Sequence, residues 1–254
     1  MSARVCRAVA VAAAMMLGVA AVCEAQVRRR APREPRSVFS ISGGIQSGSS
    51  LTDTFTFEQY AEDGTVRAEY PGTSATFFEV SAGTRIWRRI GIGAAITRAS
   101  SSGDASVSAD VPHPFFLDQP RSVEGSATDL SRDETGVHVQ LYWEPRMTGR
   151  LRVRLFAGPS FIDVKQDLVE GVDLNEVYPY DETTFRSART RQGSGSAVGG
   201  HGGADLAWML SRQVGAGVLV RYAAASVDLN APASRTVSSD AGGLQAAAGI
   251  RVVF

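Results

Sequence analysis

From Val38 to its last residue the chain alternates apolar and polar positions with a period of two, the mark of strands with two unlike faces. Eight windows carry the alternation: VFSISGGIQ (38–46), FFEVSAGTRIW (77–87), IGIGAAITR (90–98), GVHVQLYW (136–143), LRVRLFAGPSF (151–161), GGADLAWML (202–210), VGAGVLVRYA (214–223) and LQAAAGIRVVF (244–254). Their lengths approach the ~9–11 residues that a tilted strand needs to cross a membrane.

The connections alternate too. Windows two and three are joined by residues 88–89, four and five by 144–150, six and seven by 211–213, whereas 47–76, 99–135, 162–201 and 224–243 are long. In an antiparallel meander, successive connections fall at opposite ends, so one end is trimmed tight and the other carries large polar loops. Parts of those loops keep alternating, as in TFTFEQY (54–60) and ASVSADV (105–111), and predict strands that run past a membrane boundary. The acidic stretch QDLVEGVDLNEVYPYDE (166–182) lacks the regular oxygen spacing of a calcium loop and reads as a solvated charged loop.

Sorting by parity separates the residue types. One face holds Phe39, Ile41 and Ile45; Val80, Ala82 and Ile86; Ile90, Ile92 and Ile96; Val137, Val139 and Leu141; Leu151, Val153 and Leu155; Val218 and Val220. The opposite face is rich in Gly, Ser and Ala, with Arg85, Arg152, Arg154, Arg221 and Arg251 against Glu79 and Asp205. A water-facing sheet would favour Lys, Glu and Thr, because glycine weakens a strand and offers nothing to pack. A narrow lumen needs small residues that make room for a few large charged ones. The apolar face therefore points outward to lipid and the charged residues form a buried ionic plug. A slip of one residue would turn the arginines to lipid, at roughly 2–4 kcal/mol each near the midplane, so register is strongly specified. Hydrocarbon cannot satisfy an open sheet edge, which requires closure.

Aromatic residues support this reading. Trp143, Trp208 and Phe254 end their strands on the apolar face, as an interfacial belt would. Trp87 falls on the lumen parity, which calls for either a bulge or a place at the barrel mouth. The expected fold class is all-β: an eight-stranded antiparallel up-and-down transmembrane β-barrel with short periplasmic turns and long extracellular loops.

The amino terminus adds the export route. Arg4 and Arg7 precede an apolar run from Ala8 to Cys23, too short to cross a bilayer as a helix, and Cys23 and Ala25 suit a signal-peptidase site. The predicted division is a signal peptide over 1–25, a basic flexible leader over 26–37 and an outer-membrane β-barrel domain over 38–254. Lipidation of Cys23 is the alternative; Val22 stands where such signals want a small residue. Both cysteines, Cys6 and Cys23, lie in the segment to be removed, which leaves no disulfide or thiolate metal site. Removing Arg4, Arg7 and Glu24 leaves 24 basic and 25 acidic residues from 26 of each, a net charge of −1 that gives no support for nucleic-acid binding.

With its architecture and the terminal GIRVVF, the chain resembles the small eight-stranded outer-membrane proteins of the OmpA-type transmembrane domain and OmpX class, the outer-membrane β-barrel domain family. The resemblance covers 38–254 and implies insertion into the outer membrane of a Gram-negative-type cell. It also implies that Phe254, with Val252 and Ile250 before it, is the cue read by the barrel-assembly machinery. The other partners it implies are outer-membrane lipid and lipopolysaccharide, with the chain a monomer. No peptidoglycan-binding domain follows the barrel, which removes a wall-anchoring role as an expectation.

Fold does not dictate function. Enzymes of this class use His with Ser, Asp or Glu near the outer rim, and the histidines here are His113, His138 and His201. His113 stands between Pro112 and Pro114 with no dyad; His138 reads as a satisfied interior histidine. His201 shares the lumen parity with Asp205, about 13 Å away along the strand, which is too far for a direct hydrogen bond. No nucleophile–base pair is visible, so no catalytic, cofactor or metal residue is assigned. The expected function is a structural or surface-interaction role with a plugged lumen. The alternatives are a narrow ion-conducting pore or a lipid-modifying enzyme.

Overall fold

In a computed structural model, the described residues are 36–147, 149–231 and 235–254. The predicted signal peptide and nearly all of the leader lie outside them. Ten strands form: β1 (Ser37–Gln46), β2 (Leu51–Gln59), β3 (Glu62–Tyr70), β4 (Ala75–Trp87), β5 (Ile90–Val111), β6 (Arg121–Trp143), β7 (Leu151–Glu176), β8 (Thr183–Met209), β9 (Val214–Asn230) and β10 (Thr236–Val253). Consecutive antiparallel pairings run β4–β1–β10–β9–β8–β7–β6, and β5 pairs with both β4 and β6. The eight strands of that ring leave no edge. β2 and β3 form an extra hairpin laid against the outer part of β5, where Thr65–Glu69 pair with Ser106–Asp110.

The seam closes as the terminal residues suggested. Phe39 faces Val252 and Ile41 faces Ile250 across β1 and β10, and Ser37 N donates to Phe254 O at 2.9 Å. Trp87 is explained by a bulge: the register shifts between Arg85 and Trp87, turning the indole outward to 62 % exposure.

The long polar loops do not form as such. Residues 99–111 and 121–135 continue β5 and β6, 162–176 and 183–201 continue β7 and β8, and 224–230 and 236–243 continue β9 and β10. The carboxylates read as a solvated loop sit mostly on β7, where Asp167 accepts from Ser131, Glu170 faces Arg191 and Asp173 faces Arg189. The cause is a reversal of polarity without a change of parity. β5 points Ile90, Ile92 and Ile96 outward in its first half, then Arg98, Ser100, Ser102, Asp104, Ser106 and Ser108. Its inner face changes from Gly91, Gly93 and Thr97 to Ala105, Val107, Ala109 and Val111. β7 and β9 reverse at the same level, between Phe161 and Asp163 and between Tyr222 and Ser226.

The molecule is thus one set of strands with two solvents. The outward apolar belt from Leu151 to Phe161 rises about 25 Å at ~3.3 Å per residue and ~40° tilt, the thickness of a membrane barrel's apolar band. Above it an extension on the order of 30 Å tall encloses an apolar core of Val66, Val107, Val111, Val164, Leu168, Val169, Val227 and Leu229. Tyr70 is buried in that core, and its hydroxyl accepts from Val169 N at 2.7 Å.

Burial pushes the Tyr70 phenol up to about 12. Its ordinary value in an unfolded chain is about 10. The folded extension therefore keeps the proton longer than the unfolded chain does. Its stabilising contribution is complete below pH ~10 and is lost as the pH rises from there through ~12. The urea resistance of the extension is expected to fall over that interval, and Tyr70→Phe to remove this part of the pH dependence. An identical alkaline response in the variant would rule out Tyr70 as its source.

Candidate functional site: the ion-paired lumen and the cap above it

The inward face of the membrane half brings together residues that are far apart in sequence. Arg251 on β10 donates from Nε and Nη2 to Asp205 on β8 at 3.0 and 2.7 Å, and from Nη1 to Ser42 on β1 at 2.8 Å. Arg221 on β9 stands 2.8 Å from Glu79 on β4, with the guanidinium 0 % and the carboxylate 5 % exposed. That contact is close but off the hydrogen-bonding direction, so it is held by charge more than by alignment. Arg221 Nη2 has no hydrogen-bond partner.

From Arg221 the polar contacts continue across the lumen. Its Nε donates to Gln245 Oε1 at 2.5 Å, Gln245 Nε2 to Gln46 Oε1 at 2.6 Å, and Gln46 Nε2 to Glu134 Oε2 at 2.7 Å. Arg132 grips the other oxygen of Glu134 at 2.8 Å and reaches Gln166 Oε1 at 2.6 Å. The chain joins β4, β9, β10, β1, β6 and β7. Pairing and hydrogen bonds lower the cost of burying these charges, and Arg221 Nη2 is left out of the network. Gly242, at φ +95°, matters here: its N–H donates to Glu134 Oε2 at 3.1 Å, and an added Cβ would lie 2.4 Å from Ala223 O.

Of the five arginines assigned to the lumen, Arg221 and Arg251 are fully buried there. Arg154 lies nearer the short-turn mouth, pairing with Glu144 at 2.7 Å and stacking 4.6 Å over the Tyr142 ring. Arg85 and Arg152 are partly exposed. His201 and Asp205, weighed as a pair, are not brought together. Asp205 serves Arg251, and His201 turns to a serine.

That serine completes a group the strand pattern did not reveal. Ser160 Oγ lies 2.8 Å from His138 Nδ1 and 2.9 Å from His201 Nδ1, and His138 Nε2 lies 3.0 Å from Thr97 Oγ1. The register places His138 opposite Ser160 and His201 opposite Gly158. Since a hydroxyl has one proton, Ser160 donates to one imidazole and accepts from the other, which requires complementary tautomers. The rings stack edge-on at 4.9 Å. Ser160 is 0 % exposed, so the group has the elements of a nucleophile and base but no room for a substrate.

Between this lumen and the apolar core lies a pocket of ≈ 40 Å³, space for one or two water molecules, that runs from Gln46, Glu134 and Gln166 to the exposed Thr73 and Asp104. Among the described residues no group of three or more His, Cys, Asp and Glu could hold a metal ion. His113 sits outside the barrel interior, near the distal turns. Its Nδ1 accepts from Phe115 N at 3.1 Å, and its Nε2 is 4.0 Å from Asp181.

Closure of eight strands, an apolar exterior and a charged interior occur together. The fold is a small outer-membrane-type β-barrel. No protein-family profile matches the chain, and no curated protein matches it. Among solved structures it is similar to the outer membrane protein OprG from Pseudomonas aeruginosa, with TM-score 0.45, 11 % identity and coverage of 87 % of this chain and 97 % of that one. It is similar to Neisserial surface protein A (TM-score 0.42, 12 % identity, 85 % and 97 % coverage). The outer membrane protease OmpT from Escherichia coli is similar too (TM-score 0.47, 10 % identity, 90 % and 100 % coverage). Strand pairing and the outward apolar belt, not these distant likenesses, define the barrel.

Proposed function

We propose that this chain resides in the outer membrane as a sealed barrel that anchors a rigid β-extension outside the cell, with a structural or surface-interaction role and no enzymatic one. The observation that carries the reading is the reversal of polarity along unbroken strands. Below the reversal the barrel presents apolar residues to lipid; above it the strands enclose an apolar core and present polar residues to water. The ionic lumen and the apolar cap above it both oppose conduction. Conduction would have to pass both Arg221–Glu79 and the core around Val227 and Leu229. Phe254, 62 % exposed at the short-turn end, suits an assembly cue, and the belt suits contact with outer-membrane lipid and lipopolysaccharide.

The enzyme reading draws on His138, Ser160 and His201, but the complete burial of Ser160 argues for a structural cross-link among β6, β7 and β8. One preparation tests both parts. The refolded protein in planar bilayers is expected to stay electrically silent and to leave Ser160 unlabelled by a fluorophosphonate. Discrete conductance steps would establish a pore, and a labelled Ser160 would restore an enzyme.

A further inference from the structure

Three turns meet at the far end of the extension, where neither lipid nor the lumen explains what they expose. They are the β2–β3 tip at Tyr60, the β5–β6 turn with Phe115, Phe116 and Leu117, and the β7–β8 turn with Val177 and Tyr178. Phe116 is 52 %, Leu117 72 % and Tyr178 78 % exposed. Contiguous exposed apolar side chains of this size mark interaction surfaces more often than chance decoration.

The platform is held in shape. Arg121, buried, bonds to Glu176 and donates to Pro112 O at 2.8 Å and Tyr180 O at 2.9 Å. Tyr60 Oη donates to the other oxygen of Glu176 at 2.7 Å, and Glu62 accepts from Asp118 N at 3.1 Å. Phe115 packs edge-on against Tyr180 at 5.7 Å. Such cross-links remove the ordering cost that a flexible loop would incur on binding.

Charge selects the partner. Across residues 58–63, 113–124 and 173–189, nine carboxylates stand against three arginines, a formal −6 on a chain whose total is +0. A second copy of this tip, an anionic membrane or an anionic glycan would be repelled. We infer that the tip is a docking surface for a cationic, partly apolar polypeptide segment, whose apolar side chains cover Phe116, Leu117 and Tyr178. Its Lys or Arg residues would lie against the aromatic faces and the carboxylates of Asp181 and Glu182. The inference rests on the surface-interaction reading and supplies its partner class.

The test uses the whole barrel in zwitterionic nanodiscs and a fluorescent peptide alternating Arg and Leu. Binding is expected to weaken several-fold from low to high salt, since exposed charge pairs are screened. Phe116→Ser/Leu117→Ser/Tyr178→Ser, all exposed positions, is expected to weaken it about tenfold or more. Asp181→Asn/Glu182→Gln should chiefly flatten the salt dependence. Unchanged binding in the triple variant would overturn the inference, as would equal binding of a peptide with Gln in place of Leu, or preference for a neutral oligosaccharide. Surface biotinylation of a cysteine introduced at Gln119 on intact cells separates the two claims. An unlabelled tip refutes the outer-membrane reading whatever the peptide does, whereas a labelled tip that binds no peptide refutes the docking inference alone.

Discussion

Glu79→Leu is expected to destabilise the barrel by about 3–5 kcal/mol, the cost of leaving one partner of a buried ion pair uncompensated. Arg221 would then sit at 1 % exposure with its charge unanswered and only Gln245 still accepting from its Nε. The double replacement Glu79→Leu/Arg221→Met is expected to recover most of that loss, because an apolar pair of similar volume often matches a buried salt bridge. Urea unfolding in detergent, read by gel migration of folded and unfolded forms, measures both. Equal losses in the single and double variants would mean that the charges do not act as a pair.

The second large effect concerns the cap. Leu168→Asp places a carboxylate at a 0 % exposed position in the apolar core that holds Val164, Val227 and Leu229. Burial of such a group costs several kcal/mol, more than the roughly 2–5 kcal/mol of a Leu→Ala cavity at the same site. The expected result is selective. Proteases should cut the variant within 162–201 while the membrane half still migrates as a folded barrel. The two halves have different interiors: mostly charge pairs and hydrogen bonds below, and above them an apolar core that also holds the Arg235–Asp53 pair at 3.0 Å. If the whole barrel fails instead, the strands transmit the loss downward and the halves are one cooperative unit.

Much of this architecture was legible in the residue pattern, and the reasons are local. Parity along β5 or β9 needs only the strand period, and a glycine-rich polar face opposite an aliphatic one distinguishes a lumen from a watered surface. The aromatic ends at Trp143, Trp208 and Phe254 followed from the same parity; the outlying Trp87 left a bulge or a place at the mouth open, and the register shift decides for the bulge. The long links misled for a physical reason. Polarity reverses at Arg98, Asp163 and Ser226, so a reader who expects an apolar outer face sees the strand stop. The alternation continues unbroken, now with Val107, Leu168 and Leu229 turned inward. The period alone did predict strands beyond the membrane at 54–60 and 105–111, where β2 and the outer part of β5 form.

What could be known from the chain alone is each residue's face: strand geometry alternates side chains whatever the neighbours do, so Arg221, Glu79, His138 and His201 were bound to point inward. Which inward residues meet was another matter, because pairing across the barrel depends on the stagger between strands, and stagger is set by ladder register and closure around the whole ring. His138 meets Ser160 through the β6–β7 register and His201 joins through β7–β8. Asp205, four residues along from His201 on one face, is taken by Arg251 from a strand not adjacent to its own. The same holds at the distal end. Tyr60, Phe116 and Tyr178 are unremarkable turn residues in sequence, and they form a common surface only because three pairs of strands reach the same height.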